Sequence, residues 1–258
     1  MIASLFSDLP KISVVEHYTA IGSTNDRARE LAALDTPEIA LVVADEQLAG
    51  RGRQGRSWYT PPGTALAFSL LTRPAIAAQH AMRLTMLAGL AAVEGIERAT
   101  GLQLDLKWPN DIVFHGENHW RKVGGILTEC AFQGDDIAHA VIGIGLNVNV
   151  DFSQQIELRE SATSLMHLAG REIDRRTVLK AVVAAFVGRY AWIADAARVR
   201  GAWAARLINL RQNIRVNLNN QVIEGYAEGV DDDGALLLRT ADGQRQRLLS
   251  GDVTLHNL

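Results

Sequence analysis

The chain has 258 residues, 48% hydrophobic and 21% charged, with a net charge of −3. This is an ordinary globular composition, long enough for one large domain or a large one with a small companion. A mildly acidic body argues against a broad basic surface for nucleic acid, and a single cysteine, Cys130, excludes an intrachain disulfide and points to a reducing compartment, the cytoplasm.

Residues 1–10 lack the basic start and long apolar core of a signal peptide. No segment approaches the roughly 20 apolar residues needed to cross a membrane. Val14 and Val15 open an extended stretch that ends at Gly22. Ser23-Thr24-Asn25-Asp26 then starts a helix: Ser23 suits the N-cap, Asp26 complements the dipole, and Ala28, Leu31 and Ala32 form an apolar stripe. Ser23, Thr24 and Asn25 have two readings at this point. They cap the helix, or their side chains and the free N–H groups of the first turn hold a polar ligand.

Ala40-Leu41-Val42-Val43-Ala44 reads as a buried strand, with Gln47 shortly after it. The following stretch, Gly50-Arg51-Gly52-Arg53-Gln54-Gly55-Arg56, packs three arginines and three glycines into seven residues, and Ser57-Trp58 closes it. It is a loop leaving a strand end. Its glycines let backbone N–H groups come close to a ligand, and its arginines offer planar donor forks for phosphate or carboxylate. Like charges roughly 6 Å apart repel by about 2–3 kcal/mol per pair at an effective dielectric near 20. A partly buried loop therefore calls for an anion among the arginines, whereas a fully exposed one is screened by solvent and salt.

Pro61-Pro62-Gly63 makes a turn, and residues 64–71 form a strand. Residues 79–100 form a long helix with Met82, Met86, Leu87, Leu90, Val93 and Ile96 on its buried side; these methionines are core, not metal ligands. Residues 102–108 return as a strand running into Lys107-Trp108-Pro109-Asn110-Asp111, where proline forces Trp108 out of the helical region. Ile112-Val113-Phe114 resume a strand, residues 116–119 make a polar turn, and residues 121–129 form another strand containing Gly124-Gly125. Residues 141–150 form an apolar strand holding Gly143, Gly145, Asn147 and Asn149. Glycines inside a strand weaken it unless another backbone or a ligand passes close. A helix start follows at residues 161–165, then an amphipathic helix from residue 175 to about 193 and a second from about 195 to 207.

Near Asn209 the character changes. Short strands at residues 214–218, 221–230, 235–240, 244–249 and 252–255 are separated by Asn219-Asn220, residues 231–234 and Asp242-Gly243. Such spacing predicts a small barrel, either a binding module or a structural cap. The fold class is α+β: a mixed sheet of six or seven strands flanked by helices (residues 1–209), then the barrel (residues 210–258).

Polar clusters fall at strand ends and turns: Ser23-Thr24-Asn25, Gln47 with the arginine loop, residues 107–111, Lys122 and Asn147. Each has a plain explanation alone: Lys122 as a surface lysine, Asp111 as a turn former, Trp58 and Trp108 as packing. There is no lysine-bearing phosphate loop, zinc-spaced Cys/His set or nucleophile-elbow serine, and His17, His115 and His139 show no ligand spacing. No partner base can be identified for covalent catalysis through Cys130.

Taken together, the stretches from Gly50 to Trp58, Lys107-Trp108-Pro109-Asn110-Asp111, Lys122-Val123-Gly124-Gly125-Ile126-Leu127 and Gly143-Ile144-Gly145-Leu146-Asn147 closely resemble the motifs of biotin protein ligases. Their order agrees, with Gly22-Ser23-Thr24-Asn25 upstream and Ala162-Thr163-Ser164-Leu165 downstream, and the resemblance covers nearly the whole chain. It implies a catalytic domain of the class II aminoacyl-tRNA synthetase and biotin ligase type, followed by a Src-homology-3-like barrel. It also implies a two-step reaction. Biotin and ATP, with Mg²⁺, give biotinyl-5′-adenylate and pyrophosphate, and the acyl group then passes to a lysine of the biotin carboxyl carrier protein of acetyl-CoA carboxylase.

Carried over by position, Ser23, Thr24, Asn25, Gln47, Arg51, Gly52, Arg53, Trp58 and Lys122 would hold biotin. Arg51, Gly52 and Arg53 would order over biotin and phosphate as the adenylate forms. Arg53, Arg56, Trp58, Lys107, Asn110, Lys122 and Asn147 would hold the nucleotide; no metal ligand is assigned. Catalysis would fall to Lys122, Arg53 and Asp111. Fixed cations relieve the repulsion between a carboxylate and the α-phosphate, a carboxylate can take the proton of an attacking lysine, and a glycine-rich loop can shield a labile anhydride.

Family members that repress transcription carry a helix-turn-helix domain ahead of the catalytic part. About a dozen residues precede the matching region here, so no operator DNA binding is expected. Gln54 stands where relatives can have a further arginine, and residues 151–160 hold no tryptophan to cover an adenine. The alternatives are a lipoate or octanoate ligase or transferase, which shares the catalytic fold, and a non-catalytic nucleotide- or RNA-binding regulator. An exposed sheet edge would suit a homodimer.

Overall fold

The structure, a computed structural model, describes residues 2–9, 11–116, 119–218 and 221–255. Part of the polar turn expected at residues 116–119, and all of that at Asn219-Asn220, lies outside them. Seven strands form the main sheet: β1 (Val14–Tyr18), β2 (Ala40–Ala44), β3 (Leu66–Thr72), β4 (Asp105–Lys107), β5 (Asp111–His115), β6 (Trp120–Gln133) and β7 (Asp136–Leu146). Their order across the sheet is β1-β2-β3-β7-β6-β5-β4. Only the β1–β2 pair is parallel, so the sheet is mixed as expected.

Strand β2 shows why the sequence folds this way. All five of its residues are buried, as a continuous apolar run predicts. Alternate side chains serve opposite faces. Leu41 and Val43 join the main core with Leu84, Leu87 and Ala88 of α2 (Met82–Thr100) and Val178, Val182 and Phe186 of α4 (Arg175–Arg189). Ala40 and Val42 meet Ala28, Leu31 and Ala32 of α1 (Thr24–Ala33) on the other face. Helix α1 is thereby pressed onto the sheet, and its N-terminus is fixed at the strand ends where the polar clusters lie.

Several boundaries differ from the sequence reading. Helix α2 begins at Met82, after a separate 3-10 turn at Ala78–His80, because no capping side chain stands ahead of it. The strand expected over residues 102–108 shortens to β4. Strand β7 starts earlier than expected, in a hairpin with β6 turned at Gly134 (φ 61°), and ends before Asn147 and Asn149. After α3 (Leu165–Ala169) and α4 comes a 3-10 turn at Tyr190–Ala194, then a shorter α5 (Ala196–Ala204) capped by Asp195. The segment Arg175–Ala194 is apolar and long enough to cross a membrane, which the sequence reading missed. It packs on α2, and its apolar side faces the core.

The second sheet comprises β8 (Asn213–Leu218), β9 (Gln221–Val230), β10 (Leu236–Arg239), β11 (Arg245–Leu248) and β12 (Asp252–Leu255), all antiparallel in the order β11-β10-β9-β8-β12. Trp108, fully buried, joins it to the main body: its Nε1 donates to the Gly234 carbonyl at 2.9 Å. The Trp108 backbone N–H donates to Asn209 Oδ1 at 2.8 Å.

Candidate active site

A cavity of about 860 Å³ opens where α1, the arginine loop, β5, β6, β7 and β12 converge. Every residue singled out above for biotin, nucleotide or catalysis lines it, from Ser23, Thr24 and Asn25 to Asn147. The two ends of that set differ in chemistry.

One end is built of hydroxyl and amide groups, tightly bonded. Thr24 donates from both its N–H (2.9 Å) and its hydroxyl (3.0 Å) to Gln47 Oε1, and the Gln47 amino group lies against Gly50 of the arginine loop. Ser69 Oγ lies 2.8 Å from Thr24 Oγ1 and 2.6 Å from Asn25 Oδ1. Asn25 Nδ2 donates to Glu129 Oε2 at 2.6 Å and to the Leu127 carbonyl at 3.3 Å. Ser23 occupies the N-cap position of α1, but its side chain makes no capping bond. Simple capping therefore fails for Ser23, and the buried hydroxyl is not spent on the helix.

The glycines of β7 now have a physical reason. A Cβ on Gly143 would lie 2.2 Å from Asn25 Oδ1, and one on Gly145 would lie 2.4 Å from Trp58 Nε1. What passes close to the strand is neither backbone nor ligand: it is the two side chains that wall the cavity. Trp58 Nε1 is buried without a hydrogen-bond partner among the described residues.

The arginine loop is a closed lobe. Trp58 N–H donates to the Gly50 carbonyl at 2.8 Å, Arg51 bridges Ser57, and Gly52 N–H donates to the Arg56 carbonyl at 2.7 Å. Its three arginines have different fates. Arg51 makes two bonds of 2.7 Å to the Asp26 carboxylate. Arg56, exposed, pairs with Asp252 of β12. Arg53 is half-buried, and its Nη1 donates to the neutral Asn110 Oδ1 at 3.1 Å. Burial pushes its pKa down, because no carboxylate lies in direct contact to offset the desolvation.

Further along, Lys122 Nζ lies 2.5 Å from Asp111 Oδ1 and 5.5 Å above the Trp58 ring. Lys107 is buried; its Nζ stands 3.9 Å from the other oxygen of Asp111 and 4.6 Å from the Trp120 ring centre. Burial lowers the Lys107 pKa as well. Lys107 and Lys122 thus share the Asp111 carboxylate, and Arg53 and Arg56 stand with Asp252 at the same end of the cavity, so cations outnumber carboxylates there. Buried positive charge of that kind is stable only with an anion beside it.

Asn110 and Asn147 are partly structural. Asn110 Nδ2 donates to the Ile126 carbonyl at 2.7 Å, and Asn147 Nδ2 to the Thr163 carbonyl at 3.1 Å. Sequence reasoning missed Ser69, Glu129, Trp120 and Asp252. Ser69 carried a signal, as the lone polar residue within the apolar run of β3. Asp252 carried none, since only the docking of the second sheet brings it to the loop.

A profile of the biotin/lipoate A/B protein ligase family matches residues 19–147, and one of the biotin protein ligase C-terminal domain matches residues 212–255. The bifunctional ligase/repressor BirA of Bacillus subtilis is 40% identical over 244 residues, covering 93% of this chain and 73% of that protein. The biotin–[acetyl-CoA-carboxylase] ligase of Paracoccus denitrificans is 34% identical over 86% of this chain and 93% of its own length. In fold, the biotin protein ligase of Aquifex aeolicus, solved in complex with biotin and ATP, superposes with a TM-score of 0.78 at 27% identity, covering 96% of this chain and 100% of that one. Sequence and fold agree along nearly the whole length, and the chain is an enzyme that belongs to the biotin protein ligase family.

Proposed function

We propose that this enzyme first joins biotin to ATP. A biotin carboxylate oxygen attacks the α-phosphate, the bond to the β-phosphate breaks, and pyrophosphate leaves. The lysine of a biotin carboxyl carrier protein then attacks the acyl carbon of biotinyl-5′-adenylate, AMP leaves, and the lysine gives up a proton. The observation that carries this reading is the excess of cations at one end of a cavity whose other end is a network of hydroxyl and amide groups.

Ser23, Thr24, Asn25 and Gln47 hold the ureido ring at the hydroxyl and amide end. Fixed donors of this kind reject a ligand lacking matching groups, because they would be left buried and unpaired. Trp58 walls the chain of biotin. Lys122 and Arg53 face the carboxylate and the α-phosphate, where fixed positive charge lowers the barrier most. Arg56, Lys107, Asn110 and Asn147 border the nucleotide. Asp111 accepts the proton of the incoming lysine after Lys122 turns from it to the adenylate.

No group of three or more His, Cys, Asp or Glu side chains suited to a metal occurs among the described residues. Mg²⁺ does not need one: it keeps several waters and binds through one or two carboxylates and the substrate phosphates. The carboxylates that line the cavity, Asp111 among them, fit that sparse donor set, and the ion would supply charge neutralisation on the phosphates.

The catalytic unit is assigned to residues 1–209 and the small unit to residues 210–258. No strand pairing joins the two sheets among the described residues, which supports that division. A reducing cytoplasm suits the lone, half-buried Cys130.

The test is pyrophosphate release in the presence of ATP with and without biotin, followed by transfer of labelled biotin to a carrier domain with lipoate as competitor. Release that requires biotin, and transfer that lipoate does not suppress, are expected. Release without biotin, or preferential transfer of lipoate or octanoate, would sink the assignment.

A further inference from the structure

Asp26 has no part in the reaction just described, yet it makes the best-formed ion pair at the cavity. It lies in the first turn of α1, one residue after Asn25. Arg51 Nη1 donates to its Oδ2 and Nη2 to its Oδ1, both at 2.7 Å. Two parallel bonds hold a guanidinium in one plane and one direction. Glu129 Oε1 stands 3.7 Å from Arg51 Nη2, while the other oxygen of Glu129 accepts from Asn25. Arg51 also bridges Ser57 and so closes the base of the arginine loop. A single side chain therefore ties the loop base to the helical turn that carries Thr24 and Asn25.

Arg53 makes the contrast. Its hydrogen bond goes to a neutral amide, and it is half-buried. An arriving anion would have to break a two-bond ion pair to recruit Arg51, whereas recruiting Arg53 displaces no carboxylate.

We propose that Asp26 is a positioning residue: its grip on Arg51 seats the base of the arginine loop on α1 before any ligand binds, so that Arg51 acts as a strut and Arg53 is the arginine presented to the anion. This rests on reading the cavity as the biotin and ATP site. It also changes the order of events expected from the sequence, in which Arg51 orders only as the adenylate forms.

The test is limited trypsin digestion of the ligand-free enzyme, with cleavage after Arg53 followed by mass spectrometry, together with biotin-transfer kinetics. Asp26→Asn keeps the shape and removes the charge. Losing this two-bond pair, whose partners are over a third exposed, should speed cleavage about two- to fivefold and raise KM for biotin by more than it lowers kcat. Asp26→Glu should recover most of the protection. The reversed pair, Asp26→Arg with Arg51→Asp, should be cut more slowly than either single variant. Wild-type cleavage and KM in Asp26→Asn would overturn the proposal, as would a reversed pair no better protected than its singles. A wild-type enzyme that transfers no biotin would instead defeat the functional reading, and the cleavage comparison would still judge the strut.

Discussion

In the first step proposed above, the electrostatic demand falls on Lys122. It is one of two lysines paired with Asp111, and it also stands 5.5 Å over the Trp58 ring. Lys122→Ala removes one or two charge-assisted bonds worth about 1.5–3 kcal/mol each, or roughly ten- to ten-thousand-fold in rate. Single-turnover pyrophosphate release should slow accordingly, and a wild-type rate would remove Lys122 from the chemistry. Asp26 offers a test in pH. Its hydrogen bonds from Arg51, with a smaller contribution from Arg29, hold its carboxyl down to about 2 from an ordinary 3.8. A depressed folded-state pKa stabilises the fold above the unfolded value and loses that effect as pH falls through the folded one. The urea midpoints of wild type and Asp26→Asn should therefore differ by a constant amount from neutrality to about pH 5 and converge from about pH 4 to 2. Both partners are over a third exposed, so solvent screening keeps the gap small.

At the scale of elements, the glycines of β7 are the sharpest case. Asn25 cannot step aside for a methyl on Gly143, because Ser69, Glu129 and the Leu127 carbonyl all hold it. Gly143→Ala should break that network, and a buried polar group left unpaired costs about 1–3 kcal/mol. Calorimetry should show biotin binding weakened about tenfold or more; unchanged affinity would mean that Asn25 is not a biotin ligand. The sequence announced that something approaches this strand, since a glycine inside an apolar run has few other uses. It could not say what, because Asn25 lies over a hundred residues away and only the packing of α1 on the sheet brings it there. The apolar period fixed β2, α2 and α4 well. Element ends shifted where no cap was present, as at Met82 of α2, or where a tight turn at Gly134 extended the β6–β7 hairpin.

For the whole molecule, the contacts that hold the C-terminal sheet against the catalytic body include Trp108 with Gly234, Arg56 with Asp252, and His80 with Asp233. Trp108→Ala leaves a large cavity, at a cost of about 3–5 kcal/mol, and strands the Gly234 carbonyl. For a chain of this size that lowers Tm by roughly 6–20 °C, measurable by calorimetry; an unchanged Tm would show that Trp108 is not the pin. None of these contacts was legible beforehand, since turn residues and a strand aspartate carry no mark of a distant partner.

The Arg56–Asp252 link has a consequence for biosynthesis. A ribosome that has reached only Leu207 has already made every arginine of the loop, yet neither Gly234 nor Asp252 exists to receive Trp108 and Arg56. Until β12 emerges, the far limb of the loop has no carboxylate to hold it. The nascent polypeptide thus carries a reactive-acid pocket lacking one wall, and competence should arrive late in translation rather than grow with length.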